Sequence, residues 1–309
     1  MKFFTLASED GAAIPCYEWG ISKPKGFFQI IHGMGEHSKR YDWAARQLNK
    51  AGYCVIANDQ RGHGGAIRKI PGDMGEDGWM RSLKDAYRVN SFIRDLSLNP
   101  KIFMLGHSMG SSIAIHYACL YGNSIDSLIL SGPPGFISEF RFFVIRFVLK
   151  LESLSSGKGK KSKLMQKMLF EKPNESLSTK GSTGFEWLSR DEEVVAKYVS
   201  DDKCGFVLTI DSLSKMFEGM KLSQSQNMLK CIPSSLPINI LAGGDDPIHR
   251  KGAGISAMIK KYNQVGLKEV YVEIYPDARH ELLNELNKSQ VIADLVKWME
   301  TKCSGPNYE

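Results

Sequence analysis

The chain has 309 residues, 42% of them hydrophobic and 24% charged, with a formal net charge of +6. That balance excludes a disordered chain, and because the basic residues are mostly interleaved with acids it gives no reason to expect nucleic-acid binding. The length suits one large α/β domain with an insertion, or two small domains.

At the N-terminus Phe3, Phe4 and Leu6 are too few for a signal-peptide core and run into Glu9 and Asp10. No stretch of about eighteen uninterrupted apolar residues marks a membrane span. The six cysteines (Cys16, Cys54, Cys119, Cys204, Cys231 and Cys303) show no CxxC and no paired spacing. They are expected to be reduced packing residues of a cytoplasmic protein and suggest no metal site.

In chain order, Phe3–Leu6 and Ile14–Trp19 have strand character around the turn Glu9-Asp10-Gly11 and predict an antiparallel edge. Gly26–Ile31 predicts a buried strand ending in His32-Gly33-Met34-Gly35-Glu36-His37. Arg40–Ala51 predicts an amphipathic helix closed by Gly52. Tyr53–Ala57 is a further buried strand, running into the glycine-rich Asp59-Gln60-Arg61-Gly62-His63-Gly64. Ser82–Leu96 predicts a helix with Leu83, Ala86, Tyr87, Val89, Ile93 and Leu96 on its apolar stripe. Lys101–Leu105 then runs into Gly106-His107-Ser108-Met109-Gly110, followed at once by a helical pattern over Ser111–Tyr121. Ser127–Ser131 is another buried strand. Continuous apolar strands alternating with helices indicate a parallel sheet covered on both faces.

Between 133 and 235 the alternation stops. This segment predicts a helical cap inserted at the C-terminal edge of the sheet, with the core formed by 1–132 and 236–309. It opens with Phe136–Leu154, where Phe, Ile, Val and Leu are interrupted by Arg141, Arg146 and Lys150. Ser155–Lys163, rich in Ser, Gly and Lys, is expected to be mobile. Apolar plus basic composition suits contact with an anionic lipid surface. The alternation resumes with a strand over Leu236–Ala242, a helix over Gly252–Tyr262, a strand over Glu269–Tyr275 and a closing helix over Glu281–Thr301. That helix is expected to bury Leu282, Leu286, Ile292, Leu295, Val296 and Met299.

Strand, then Gly-x-Ser-x-Gly, then helix is the context of a nucleophile elbow, so Ser108 is the candidate nucleophile. A serine alcohol needs a base, and the base needs an orienting acid. Both follow at later strand ends, in Gly243-Gly244-Asp245-Asp246 and in Asp277-Ala278-Arg279-His280. His280 is the base, and Asp246 or Asp245 orients it; spacing alone does not separate the two. Two backbone N–H groups must face the developing oxyanion, and Met109 and Met34 stand in position to supply them. Gly33, Glu36 and His107 are assigned to substrate binding. His32, His37 and His63 are expected to hold loops by hydrogen bonds, and His116 to be an ordinary core or surface residue. The chemistry needs no cofactor or metal.

His32-Gly33-Met34-Gly35-Glu36-His37, Asp59-Gln60-Arg61-Gly62-His63-Gly64 and Gly106-His107-Ser108-Met109-Gly110 together resemble the monoacylglycerol lipase and lysophospholipase group of α/β-hydrolases, often labelled serine aminopeptidase-like. Arg279-His280-Glu281-Leu282-Leu283-Asn284-Glu285 is similar to bacterial lysophospholipase-like members, and so are cap segments Phe185–Asp191 and Asp201–Phe206. The resemblance covers nearly the whole chain and is weakest over 136–172. It implies the α/β-hydrolase fold and a serine esterase acting on single-chain lipid esters, with small-ester carboxylesterase or thioesterase activity as the alternative. It also selects Asp246 over Asp245, supports Met34 and Met109 as donors, and gives Asp59, Arg61 and His63 a role in loop architecture. Gly65 and Ala66 depart from the group's pattern, which more often has a polar residue there. An acidic cluster for a free amine, which an aminopeptidase would need, does not stand out.

Overall fold

The structure, a computed structural model, describes residues 1–177, 179–249 and 252–303, with the side chain of Cys303 outside that description. Strands Lys2–Ala7 (β1), Ala13–Trp19 (β2), Gly26–Ile31 (β3), Tyr53–Asn58 (β4), Ile102–His107 (β5), Ser127–Ser131 (β6), Ile238–Gly243 (β7) and Val270–Tyr275 (β8) form one eight-stranded sheet. Its order is β1-β2-β4-β3-β5-β6-β7-β8. Only β2 runs antiparallel to its neighbours; from β4 to β8 every pairing is parallel. The parallel sheet is the one expected from the alternation of apolar strands and helices, and it agrees with the α/β-hydrolase fold that the resemblance implies.

The central strands β3, β4, β5, β6 and β7 are buried along their whole length because both faces are covered. Successive side chains alternate between two cores. On β5, Ile102 and Met104 enter the larger core, whereas Phe103 and Leu105 enter the smaller one. Helices Asp42–Lys50 (α1), Gly78–Asp95 (α2), Met109–Tyr121 (α3) and Glu139–Ser156 (α4) come before the middle of the chain. They are followed by Lys163–Gln166 (α5), Lys172–Asn174 (α6), Glu192–Ser200 (α7), Ile210–Ser223 (α8), Gln226–Leu229 (α9), Ala253–Gln264 (α10) and Lys288–Cys303 (α11). Helix α2 contributes Leu83, Ala86, Val89 and Ile93 to the larger core, and α1 contributes Ala44, Ala45 and Leu48 to the smaller. Each large aliphatic side chain so buried contributes about 1.5–3 kcal/mol.

Several local expectations change. The edge strand β8 is not covered on both faces: Tyr271, Val272 and Ile274 are exposed. Leu96 is exposed too, because α2 ends at Asp95. The closing helix starts at Lys288 rather than Glu281, since 282–284 forms a single 3-10 turn and Glu285 is extended. Leu286 consequently points outward, 63% exposed. The segment 155–163 is held in place. The Lys160 and Lys158 carbonyls accept hydrogen bonds from Ile210 and Asp211 N–H at 2.8 and 3.0 Å, and Lys161 bridges Thr209. These carbonyls satisfy N–H groups in the first turn of α8, which have no partner inside the helix.

Within 133–235 the helices divide. Helix α8 packs against α2 and α3 in the layer on one face of the sheet, and α4 packs on α8. The stretch from α5 to Leu208 instead meets loops that follow strands: Leu188 O accepts Glu281 N–H, and Gly205 N–H donates to Gly35 O. Helix α4 leaves a long apolar face open, with Phe140, Phe143, Phe147 and Leu154 exposed by 74, 66, 54 and 77%. Among the described residues no helix is long and apolar enough to cross a membrane.

Candidate active site

At the C-terminal end of β5 the chain turns so sharply into α3 that Ser108 adopts φ 52°, ψ −116°. A non-glycine residue pays about 1–3 kcal/mol for such a backbone, and the surroundings enforce it. A Cβ on Gly106 would clash with the Gly110 carbonyl, and one on Gly110 would clash with the carbonyls of Ile31 and His32. The two glycines therefore let strand, helix and the end of β3 meet. Ser108 N–H donates to Ser131 O at 3.0 Å, which ties the elbow to β6.

The loops after β7 and β8 meet beside this turn. Gly244 N–H donates to Tyr275 O at 2.8 Å and Asp245 N–H to Ala278 O at 3.0 Å. The Asp245 side chain is exposed, whereas Asp246 is buried and its Oδ2 lies 2.8 Å from His280 Nδ1. The second Asp246 oxygen accepts Ile248 N–H at 2.8 Å. A carboxylate only accepts, so Nδ1 carries the proton and Nε2 is left as the basic nitrogen. Burial opposes charge on both groups, but their mutual attraction outweighs it. The imidazole is raised above its ordinary value and the Asp246 carboxyl lowered below its own. His249, also on this loop, is engaged elsewhere: its Nε2 donates to Gly243 O at 2.8 Å and its Nδ1 accepts Gly252 N–H at 2.9 Å.

His107 packs beside the His280 ring. Its ring is 4.8 Å from that of His280, and Nδ1 donates to Ser131 O at 3.1 Å. Burial and then the neighbouring His280 hold its pKa below the ordinary histidine value. Gly33 packs against both Ser108 and His107; a Cβ there would come 3.3 Å from Ser108 Cβ and 3.1 Å from the His107 ring. Among the described residues the formed pair is His280–Asp246, and Ser108 Oγ makes no hydrogen bond to the ring. In ligand-free hydrolases that contact is often long and tightens with substrate.

The loop carrying Gly33 and Met34 is held by groups within the protein. His32 donates from Nδ1 to Gly33 O at 2.8 Å and accepts Gln60 N–H at Nε2, also 2.8 Å. Glu36 Oε1 accepts Gly33 N–H at 2.6 Å and the Tyr41 hydroxyl at 3.0 Å, and its Oε2 accepts from Arg40 at 2.8 Å. The assignment of Glu36 to substrate binding is therefore revised: both its oxygens are spoken for, and it braces the loop. Arg40 also makes a two-pronged pair with Glu281, both bonds 2.6 Å, and Glu281 follows His280 directly. One buried guanidinium thus links the Met34 loop to the histidine loop. Burial works against the Glu36 charge, but Arg40 outweighs it and holds the carboxyl at about 2.

Loop architecture rests on Asp59, Arg61 and His63. Asp59 accepts Ser38 N–H at 2.9 Å and Gly65 N–H at 2.6 Å. Arg61 pairs with Asp85 and Asp10 at 2.7 and 2.8 Å. His63 lies 2.9 Å from Arg61 O through Nδ1. His116 is a core residue, accepting the Trp79 indole N–H at 3.0 Å.

Residues 187–190 touch the loop that carries His280. Glu281 N–H donates to Leu188 O at 2.8 Å, and the Trp187 ring lies 5.0 Å from that of His280. Glu285, fully buried, accepts from Arg279 N–H, Arg190 N–H and the Arg190 side chain at 2.9, 3.0 and 2.9 Å. Sequence inspection missed Arg40, Trp187, Glu281 and Glu285. The i,i+4 spacing of Glu36 and Arg40 was the only available signal, because the other contacts join distant segments.

The sequence family described as "Hydrolase_4: Serine aminopeptidase, S33" matches residues 22–287. Similar proteins include a monoacylglycerol lipase of Mycolicibacterium smegmatis, 26% identical over 89% of this chain and 88% of its own. The human monoglyceride lipase is 28% identical over 96% of this chain and 90% of its own. Among solved structures, a thermostable carboxyl esterase from Bacillus coagulans in complex with glycerol superposes with a TM-score of 0.87 at 29% identity, covering 98% of this chain and 99% of its own.

Proposed function

We propose that this chain, which belongs to the Hydrolase_4 (serine aminopeptidase, S33) family, cleaves single-chain lipid esters through an acyl-enzyme on Ser108. That it is a carboxylic ester hydrolase follows from the family and from relatives of that activity that match it along nearly their whole length. The observation that carries the mechanism is Ser108 on a strained elbow beside a buried His280–Asp246 pair.

In the proposed reaction His280 Nε2 takes the Ser108 proton as Oγ attacks the ester carbonyl. The N–H groups of Met34 and Met109 face the resulting oxyanion, each worth on the order of 3 kcal/mol. Protonated His280, oriented by Asp246, gives its proton to the departing alcohol, and water then repeats the steps to release the acid. Gly33 and His107 line the space beside the reacting carbonyl, while Glu36 keeps the donor loop in place. His280 must be neutral to act, and Asp246 raises its pKa. The acid limb of kcat/KM should therefore lie above the ordinary histidine value of about 6.5. A pH–rate profile with the limb at or below that value would contradict the pairing.

Two relatives named for monoacylglycerol or monoglyceride support a glycerol ester with one acyl chain, and so does the aromatic underside of the cap. Trp187 faces His280, with Phe170 packed on it at 6.1 Å. Turnover of monoacylglycerol, lysophosphatidylcholine and a series of p-nitrophenyl and acyl-CoA esters, measured side by side, tests this. The expected result is a preference for monoacylglycerol or lysophospholipid. Preference for short acyl chains would favour the second reading, a small-ester carboxylesterase, to which the Bacillus coagulans neighbour points.

Lipid delivery is assigned to α4. Its exposed Phe140, Phe143 and Phe147 alternate with Arg141, Arg146 and Lys150, the composition of an interfacial helix on an anionic surface. The protein should float with anionic liposomes. Phe143→Ser/Phe147→Ser should weaken flotation, since each fully buried Phe adds about 1.5–3 kcal/mol. Absence of flotation with neutral and anionic vesicles alike would rule the surface out.

A further inference from the structure

Where the cap rests on the loop after β3, three metal-ligating side chains that take no part in the chemistry converge. A His37 ring nitrogen, an Asp201 carboxylate oxygen and Cys204 Sγ all lie within 4.8 Å of one another. The imidazole and carboxylate already touch, at 2.8 Å. Their backbones are fixed independently. Asp201 and Cys204 close one turn, in which Cys204 N–H donates to Asp201 O at 3.0 Å and Lys203 N–H to Asp201 Oδ1 at 2.9 Å. That leaves Asp201 Oδ2 facing His37. Gly205 N–H donates to Gly35 O at 2.9 Å, and Gly35 is pressed so closely that a Cβ would come 2.7 Å from Phe206 O. On the other side, Ser38 N–H is anchored on Asp59. His37 is buried, while Asp201 and Cys204 are partly open, which leaves a side for water.

We propose that His37, Asp201 and Cys204 form a binding site for a borderline-soft divalent cation, zinc above all, separate from the catalytic centre. One imidazole, one thiolate and one carboxylate with a water completing a tetrahedron is a zinc-type donor set. Calcium and magnesium are disfavoured because they take oxygen ligands and the site offers a single carboxylate. Zinc–donor bonds of about 2.0–2.3 Å put donors about 3.3–3.8 Å apart, so the widest pair closes by about an ångström. Binding replaces the His37–Asp201 hydrogen bond and releases the thiol proton to solvent. The ion then joins a cap turn to the loop that carries Met34, three residues from His37, and so holds the cap down. The 164-residue separation of His37 and Asp201 hid this set from spacing analysis, which had suggested no metal site.

The test uses the full-length protein stripped with chelator and titrated with Co²⁺, then Zn²⁺. One equivalent of Co²⁺ should produce the cobalt–thiolate charge-transfer band, Zn²⁺ should abolish it by displacement, and Zn²⁺ should raise Tm. Cys204→Ser should remove the band, whereas Cys231→Ser, at an exposed cysteine, should keep it. The near-isosteric Asp201→Asn, which preserves the turn, should weaken Zn²⁺ binding at least about tenfold. No band with the wild type, a band that survives Cys204→Ser, or unchanged affinity in Asp201→Asn would overturn the site.

Discussion

Ser108→Ala should fold with unchanged stability and lose turnover by at least about 10⁴-fold. Alanine occupies the same strained backbone as serine, and Ser108 Oγ makes no hydrogen bond among the described residues, so folding has little to lose. The hydroxyl is the only nucleophile the mechanism supplies. Removing one member of such a unit costs nearly as much as removing all of it, and what remains comes from substrate binding and the oxyanion donors. Single-turnover and steady-state assays on a soluble ester, together with thermal unfolding, check both halves. Wild-type-like turnover in this variant would end the assignment of Ser108.

Arg40→Met should destabilise the protein by about 3–5 kcal/mol and lower kcat as well. The substitution keeps much of the side-chain volume but leaves Glu36 and Glu281, both nearly inaccessible, without a counter-charge. Breaking a buried pair from one side is costly in this way, whereas replacing the whole group by apolar residues often is not. Adding Glu281→Leu to Arg40→Met should therefore restore part of the lost stability. Activity should not recover with it, because the link between the Met34 loop and the histidine loop stays cut. The Tyr198 ring, 4.7 Å from the guanidinium, extends the same link to α7. Denaturant unfolding and kcat for the three proteins separate the effects; equal stability of Arg40→Met and wild type would contradict the buried-pair reasoning.

Much of the fold was legible because its signals are local. Gly26–Ile31 and Ser127–Ser131 were found at their observed bounds, since a short apolar run bounded by breakers reads as a buried strand. The elbow was legible for a steric reason: strand, Gly-x-Ser-x-Gly and helix are contiguous. Choosing between Asp245 and Asp246 needed either a family resemblance or the fold, because which one is buried depends on how the histidine loop lies across it. The closing helix begins late because Glu281, Glu285 and Asn287 bond instead to Leu188 and Arg190, which no helical periodicity reveals. The composition of residues 155–163 predicts a mobile segment, yet the Lys158 and Lys160 carbonyls serve the start of α8. The pairing of Glu281 with Arg40 and of Glu285 with Arg190 is not legible in the sequence, because the arginine partners lie far away in the chain.

Labelling with a fluorophosphonate probe, followed by mass mapping of the modified peptide, tests the central claim most directly. The probe should form a single covalent adduct on Ser108, and the adduct should be lost in Ser108→Ala and strongly slowed in His280→Ala. Failure of the folded wild-type protein to label, or an adduct on any other residue, would contradict it.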